Sequence, residues 1–462
     1  MQDHSGANVL ARLVHDSAII KLTRGLNVKL LGSAPLVLLD LPVAATFAVR
    51  PMDVPGLESI PRLLHQVGDS VLAGDPVLAS KANPEVVFSS PVSGDIVEVR
   101  RGPKRAITEV VIEPGRQLVF RAFRKPSLAS RDQILETLLG SGAWTLLRQR
   151  PFNTFADPAV TPRDIFVSCF DSAPLAPDTG FLLQGREEAF LAGLRALRTL
   201  TSGEVHLGVA PHSSDLFRRA DSARVHTFDG PHPAGAVGVQ IHHIAPIAKG
   251  HVVWTIKPQD VAIIGTLVTE GIFDARRTVA FTGPQLTRTG YVDTRLGAAV
   301  APFLAGNLKS ERVRLISGNV LTGKIVPPSG HLGHFDDQVT VIEEGDQPEF
   351  LGWLFPSYPR PTLSRTFLSY FLPNREYAVN SNPHGEQRAF VMTGEYERVV
   401  PMDLYPQHLL KAILFRDFDQ MEGLGIYEVV EEDLALCEFA CTSKQPVQRI
   451  LREGLDWMRG EA

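Results

Sequence analysis

Ile165-Phe-Val-Ser-Cys-Phe170 is an apolar run of strand length, and the segments on its C-terminal side set the architecture. Residues 186–201 carry helical periodicity, Val205-His-Leu-Gly-Val-Ala210 returns to a strand, 213–220 form a short helix, and Arg224-Val-His-Thr-Phe228 is a third strand. Strands and helices in this alternation make βαβ units, and hence a doubly wound, mostly parallel sheet. No G-x-G-x-x-G opens any of its helices and no G-x-x-x-x-G-K-[ST] occurs in the chain, so the sheet lacks the usual phosphate cradle.

The third strand runs into Gly230-Pro231-His232-Pro233-Ala234-Gly235. Two prolines and two glycines cannot continue a strand, so this is a shaped loop at a strand's carboxyl end, where ligands bind in open α/β sheets. A histidine between two prolines presents its ring with little ordering cost. The same composition also suits a turn with no ligand. Seven of the fourteen histidines fall between His206 and His251, yet none has metal-ligand spacing with a cysteine or carboxylate, so no metal is expected.

On the N-terminal side, Val67-Gly-Asp-Ser-Val71 is echoed by Leu72-Ala-Gly-Asp-Pro-Val77 and followed by Ser90-Pro-Val-Ser-Gly-Asp-Ile-Val97. Short strands cornered by Gly-Asp turns resemble the barrel-sandwich hybrid of biotinyl and lipoyl domains. Asn83 stands where such carriers have their modifiable lysine, so no carrier role is expected. Arg100-Arg-Gly-Pro-Lys-Arg105 reads as a solvated hairpin tip. Ser130 can cap a helix with Ile134, Leu135, Leu138 and Leu139 on its apolar face. Arg148 and Arg150 are expected beside the proline-stopped end of that helical segment, complementing its dipole or receiving an anionic or carbonyl group.

Residues 283–355 return to β-structure around turns at Ser317-Gly318, Thr322-Gly323 and Glu344-Gly345, consistent with a small β-grasp-type sheet. From Pro401 the pattern is helical. Cys437 and Cys441 share a helix face and Cys169 is the third and last cysteine, too few for an iron–sulfur site and best explained as buried thiols. At 462 residues, 44% hydrophobic and 21% charged, the chain suits about three domains at roughly 150 residues each. The net charge of −5 without a basic block argues against nucleic acid. No run of about 20 apolar residues occurs and Met1-Gln-Asp-His-Ser5 does not begin a secretory leader, so neither a transmembrane segment nor a signal peptide is expected.

The chain resembles the family of the A subunit of the Na⁺-translocating NADH:quinone oxidoreductase (Na⁺-NQR). The residues that carry the resemblance are Lys21-Leu-Thr-Arg-Gly-Leu26, Asn83-Pro84 with Ser90 to Gly94, Ser141 to Phe152, Gly230 to Gly235, Val253-Trp-Thr-Ile256 with Gln259-Asp260, Ile316-Ser-Gly318, Val341 to Gly345, Tyr396-Glu-Arg398 and Glu431 to Cys437. The implied organisation is an N-terminal extension (1–18), a barrel-sandwich hybrid-like β domain (19–127), a Rossmann-like α/β domain (128–282), a β-grasp-like and connecting segment (283–400) and a C-terminal helical domain (401–462). The family is similar in turn to the flavin- and NADH-binding subunit of complex I and to the C subunit of the Rnf complex. Where those have a glycine-rich flavin loop, this chain has Trp144-Thr-Leu-Leu-Arg-Gln-Arg150, whose bulky side chains bar close approach to a phosphate.

The resemblance implies a peripheral subunit on the cytoplasmic face of the bacterial inner membrane, resting on membrane-embedded partners, with no FMN and no Fe–S cluster of its own. It also implies an interaction with ubiquinone. Phe228 as an aromatic wall, His232 as a donor, the loop residues Gly230, Pro231, Pro233 and Gly235, and the Arg148 and Arg150 cations are the candidate quinone site; no catalytic residue is assigned. The alternative is a ligand-free assembly subunit on a degenerate flavoprotein fold.

Overall fold

In the computed structural model, residues 19–57, 60–347, 360–361, 363 and 368–461 are described. The expected extension over 1–18 lies outside them. At the centre is a seven-stranded sheet, in spatial order Ile20–Lys21, Arg224–Asp229, Val205–Val209, Ile165–Ser168, Val253–Thr255, Arg148–Arg150 and Thr154–Phe155. The first five strands are parallel, Arg148–Arg150 runs antiparallel to Val253–Thr255, and Thr154–Phe155 runs antiparallel to Arg148–Arg150. The doubly wound arrangement follows from the side-chain alternation. Ile165, Val167, Val205, Leu207 and Trp254 pack on one face with the helices Arg131–Ser141, Glu187–Leu200 and Pro258–Glu270. Phe166, Phe228 and Val253 pack on the other with Val237–Ile244 and the C-terminal helices. Each such fully buried aliphatic or aromatic side chain contributes ~1.5–3 kcal/mol of transfer free energy.

Three local expectations change. Helical spacing over 128–149 gives a helix only to Ser141, because Gly142 takes φ +77° and its N–H turns back to Leu139 O. Arg148 and Arg150 are therefore not at a helix end; they lie in an antiparallel strand paired with Val253–Thr255. Ser130 does cap the helix, accepting from Gln133 N–H. Ile20–Lys21, placed by sequence with the N-terminal β region, pairs with Phe228–Asp229 at the edge of the central sheet.

The N-terminal β region is two small sheets, Phe47–Val49, Ile107–Pro114, Gly94–Arg101 and Ser70–Val71 in one, Arg62–Leu63, Pro76–Ala79 and Val87–Ser89 in the other. They share a core with a five-stranded sheet ordered Gly290–Arg295, Arg276–Thr282, Gln338–Glu343, Val313–Ser317, Lys324–Ile325. Helices Pro406–Phe415, Phe418–Gly423, Ala435–Ala440 and Val447–Glu461 close the second face of the central sheet. Among the described residues no helix is long and apolar enough to cross a membrane.

Candidate functional site

The order of the central sheet creates one privileged place. After Ile165–Ser168 the chain crosses by Glu187–Leu200 to Val205–Val209 on one side; after Arg224–Asp229 it crosses by Val237–Ile244, on the opposite face, to Val253–Thr255 on the other side. The connections leaving these strands therefore diverge, and a crevice opens outside their carboxyl ends. A cavity of about 380 Å³ fills it. Ser168, Phe170, Asp171, Thr255, Lys257 and Gln259 enter from the strand ends, with His232 and Gly235 beside them. Ser317 to Lys324 and His334 to Gln338 close it from the five-stranded sheet, and Glu431, Glu432 and Gln448 from the C-terminal segment.

The proline–glycine loop is held on two sides. His232 N–H donates to Asn27 Oδ1 at 2.8 Å and its carbonyl accepts from Leu26 N–H at 2.8 Å. Opposite, Gly235 N–H donates to Ser172 Oγ at 2.8 Å and Ser168 Oγ donates to Gly235 O at 2.8 Å. A Cβ on Gly235 would stand 2.6 Å from Ser172 N, so only glycine allows this approach. His232 is 7% exposed, its Nδ1 lies 3.1 Å from Ser172 Oγ, and the His232–Pro233 bond is cis. Burial lowers its pKa, with Asp171 pulling the other way, so the ring is neutral at pH 7.

Of the other candidates, Arg148 lines the cavity, its guanidinium 5.2 Å above the Phe335 ring. Arg150 does not. It is 1% exposed, with Nη1 donating to Asp433 Oδ2 at 2.6 Å and Nη2 to Glu432 Oε1 at 2.8 Å, so its charge is consumed in the core. Phe228 does not form the aromatic wall either: it is buried beneath Val237–Ile244, edge-on to His243. A side chain on the last turn of a buried strand points into the core as readily as out of it, and the hydrophobic term decides. Gly230, Pro231 and Pro233 shape the loop without lining the cavity, and the aromatic surfaces that do line it are Phe170 and Phe335.

Sequence reasoning missed the ionic floor. Lys257 Nζ lies 3.2 Å from Asp337 Oδ2, Gln259 Nε2 donates to Asp337 Oδ1 at 2.8 Å, and the buried Arg277 joins Asp337 to Asp260. Burial works against charge on Asp337, but Lys257 and Arg277 outweigh it and hold the carboxyl below its ordinary range. Burial likewise opposes the Lys257 ammonium, and Asp337 and Asp336 keep its pKa above normal. Lys257 precedes Pro258, the first residue of Pro258–Glu270, so a cation and a helix N-terminus face the cavity together. The signal was present in Thr255-Ile-Lys-Pro258, a strand end running into a helix-starting proline.

All three cysteines are buried, and burial raises the thiol pKa of Cys169 and Cys437 well above normal. Trp144, Leu146 and Leu147 are packed in the core, leaving their backbone closed to a phosphate. Among the described residues no group of three or more His, Cys, Asp or Glu side chains is placed to hold a metal ion.

Three family models match the chain: "NqrA N-terminal barrel-sandwich hybrid domain" over residues 20–115, "NqrA second alpha/beta domain" over 129–273 and "NQRA C-terminal domain" over 278–327. The chain is 40% identical over 445 residues to the A subunit of the Na(+)-translocating NADH-quinone reductase of Serratia proteamaculans, covering 95% of this chain and 98% of that one. The corresponding A subunit of Rhodopirellula baltica is 36% identical over 452 residues, with 96% and 99% covered. Among solved structures, an air-oxidized NAD⁺-reducing [NiFe]-hydrogenase aligns over 72% of this chain and 61% of its own at 11% identity and a TM-score of 0.37, too slight a likeness to bear on function.

Proposed function

Because this chain belongs to the family of the A subunit of the Na⁺-translocating NADH-quinone reductase, and is thus one component of an oxidoreductase complex with the other subunits as partners, we propose that its cavity receives the ubiquinone head group. The observation that carries this is the convergence of His232, Arg148 and Lys257 on one crevice at the switch point of the sheet. Phe170 and Phe335 offer flat apolar surface for the ring. The His232 ring, the Lys257 ammonium and the N-terminus of Pro258–Glu270 are donors for carbonyl oxygens whose negative charge grows as electrons arrive. No group of the chain itself carries the electrons. We assign the chain no flavin and no iron–sulfur cluster, a reading supported by the buried thiols and by Trp144, Leu146 and Leu147 packed in the core. The protein is peripheral, on the cytoplasmic face, docked on membrane-embedded partners. Two strands depart from the divisions expected from sequence, Ile20–Lys21 joining the central sheet and Arg276–Thr282 the five-stranded sheet, which we take as a β-grasp-like unit.

The test is quinone reduction by the assembled complex carrying His232→Ala. A raised KM for quinone, or a lost rate, with NADH oxidation by an artificial acceptor intact, supports the site; an unchanged rate and KM removes it. A second reading is an assembly platform without a ligand. It is favoured by the Arg150–Asp433 pair, which spends one expected site cation on joining the central sheet to the C-terminal helices. Under it, a chain lacking residues 401–462 fails to assemble, while His232→Ala is silent.

A further inference from the structure

We propose that Ser172 fixes the tautomer of His232, so that the cavity is offered the ring's Nε2–H and selects a ligand bearing a carbonyl or oxyanion oxygen at that point. The protons around Ser172 can be counted. Gly235 N–H can only donate, and it donates to Ser172 Oγ at 2.8 Å. The hydroxyl has one proton of its own, and the remaining partner of Oγ among the described residues is His232 Nδ1 at 3.1 Å. Oγ keeps a second lone pair and could accept from Nδ1–H instead, but its own proton would then have no acceptor among the described residues; with that proton directed at Nδ1 both groups are satisfied, and Nδ1 is the unprotonated nitrogen. Burial keeps the ring neutral, only partly opposed by Asp171. A neutral imidazole carries one proton, so it is on Nε2.

The surroundings of the ring agree with this assignment. Asp171 accepts from Ala173 N–H at 2.8 Å and makes no hydrogen bond with Ser172 Oγ among the described residues. Nε2 makes no hydrogen bond among the described residues, although the side chain is 7% exposed and lines the cavity. A nearly buried donor without a protein partner is satisfied by what enters the cavity. Ser172 is thus a positioning residue acting through His232, and Asn27 and Leu26 hold the histidine backbone while it does so. The identity of the oxygen as a quinone carbonyl rests on the reading given under Proposed function; the tautomer does not.

The experiment is long-range ¹H–¹⁵N NMR of the full chain labelled in histidine, with His232 assigned by its loss in His232→Gln. The expected result is a proton on Nε2 in the wild type and in Ser172→Thr, which keeps the hydroxyl, and a mixture or an Nδ1 proton in Ser172→Ala. Binding of a water-soluble ubiquinone analogue should weaken about fivefold in Ser172→Ala and little in Ser172→Thr. A wild-type proton on Nδ1, or a tautomer unchanged by Ser172→Ala, overturns the proposal. Should Ser172→Ala not fold, the wild-type tautomer still decides. If the tautomer is as assigned and no analogue binds any variant, the quinone reading falls and the role of Ser172 stands.

Discussion

Arg150, on a strand near the edge of the central sheet, donates to Asp433 Oδ2 at 2.6 Å, with 1% and 0% of the two side chains exposed. The pair links residues 283 positions apart. It fastens the C-terminal helices over the crevice. Arg150→Met would leave Asp433 buried without its counter-charge, so urea unfolding should show a loss of about 3–5 kcal/mol. Arg150→Met with Asp433→Leu should recover much of that. A loss under about 1 kcal/mol in the single variant would contradict the role assigned to the pair.

Gly25 explains why a motif near the N-terminus matters to a loop far along the chain. Its φ is +133° and a Cβ there would lie 2.3 Å from His232 O. Gly25→Ala should cost at least about 2 kcal/mol and displace the loop, weakening ligand binding more than tenfold, about 1.4 kcal/mol. Wild-type stability and binding in this variant would contradict the clamp.

Acid should destabilise the fold through neutral histidines. His334, in the cavity wall, is pushed down from 6.5 to about 4, first by burial and then by Arg277, and His226 to about 4 by burial, His206 and Arg224. The folded chain leaves them uncharged while the unfolded chain takes up protons below about 6.5, so their contribution is full above that pH and is lost as pH falls towards 4. His334 is only partly buried and lines the cavity, so the loss from it is about 1–2 kcal/mol. Urea midpoints between pH 7.5 and 4.5 should fall less steeply in His334→Gln; an unchanged slope would contradict this.

The cysteines should be inert. With all three buried, and Cys169 and Cys437 held in the thiol form by burial, a thiol reagent should label none in the native chain and three in denaturant. Rapid native labelling would place at least one outside the core.

The parallel sheet was legible because Ile165 to Phe170, Val205 to Ala210 and Arg224 to Phe228 carry strand-length apolar runs separated by helical periodicity. His232 was legible because its prolines and glycines forbid a strand. What could not be read was which side of a strand each side chain takes once the helices choose their faces, and so Phe228 and Arg150 went to the core. Nor could spacing show that Gln259, Ser317-Gly318 and Glu431-Glu432 meet at one cavity, since three separate elements bring them there. Their contacts are long-range, and local pattern carries no record of them.

The most direct test of the central claim is calorimetric titration of the purified full chain with a water-soluble ubiquinone analogue, alongside His232→Ala. One saturable site per chain, weakened about tenfold or more by His232→Ala, is the result expected from a neutral donor aimed at a carbonyl. A folded chain that takes up no analogue, or binds it equally well without the histidine, would contradict the account and leave the cavity to another ligand.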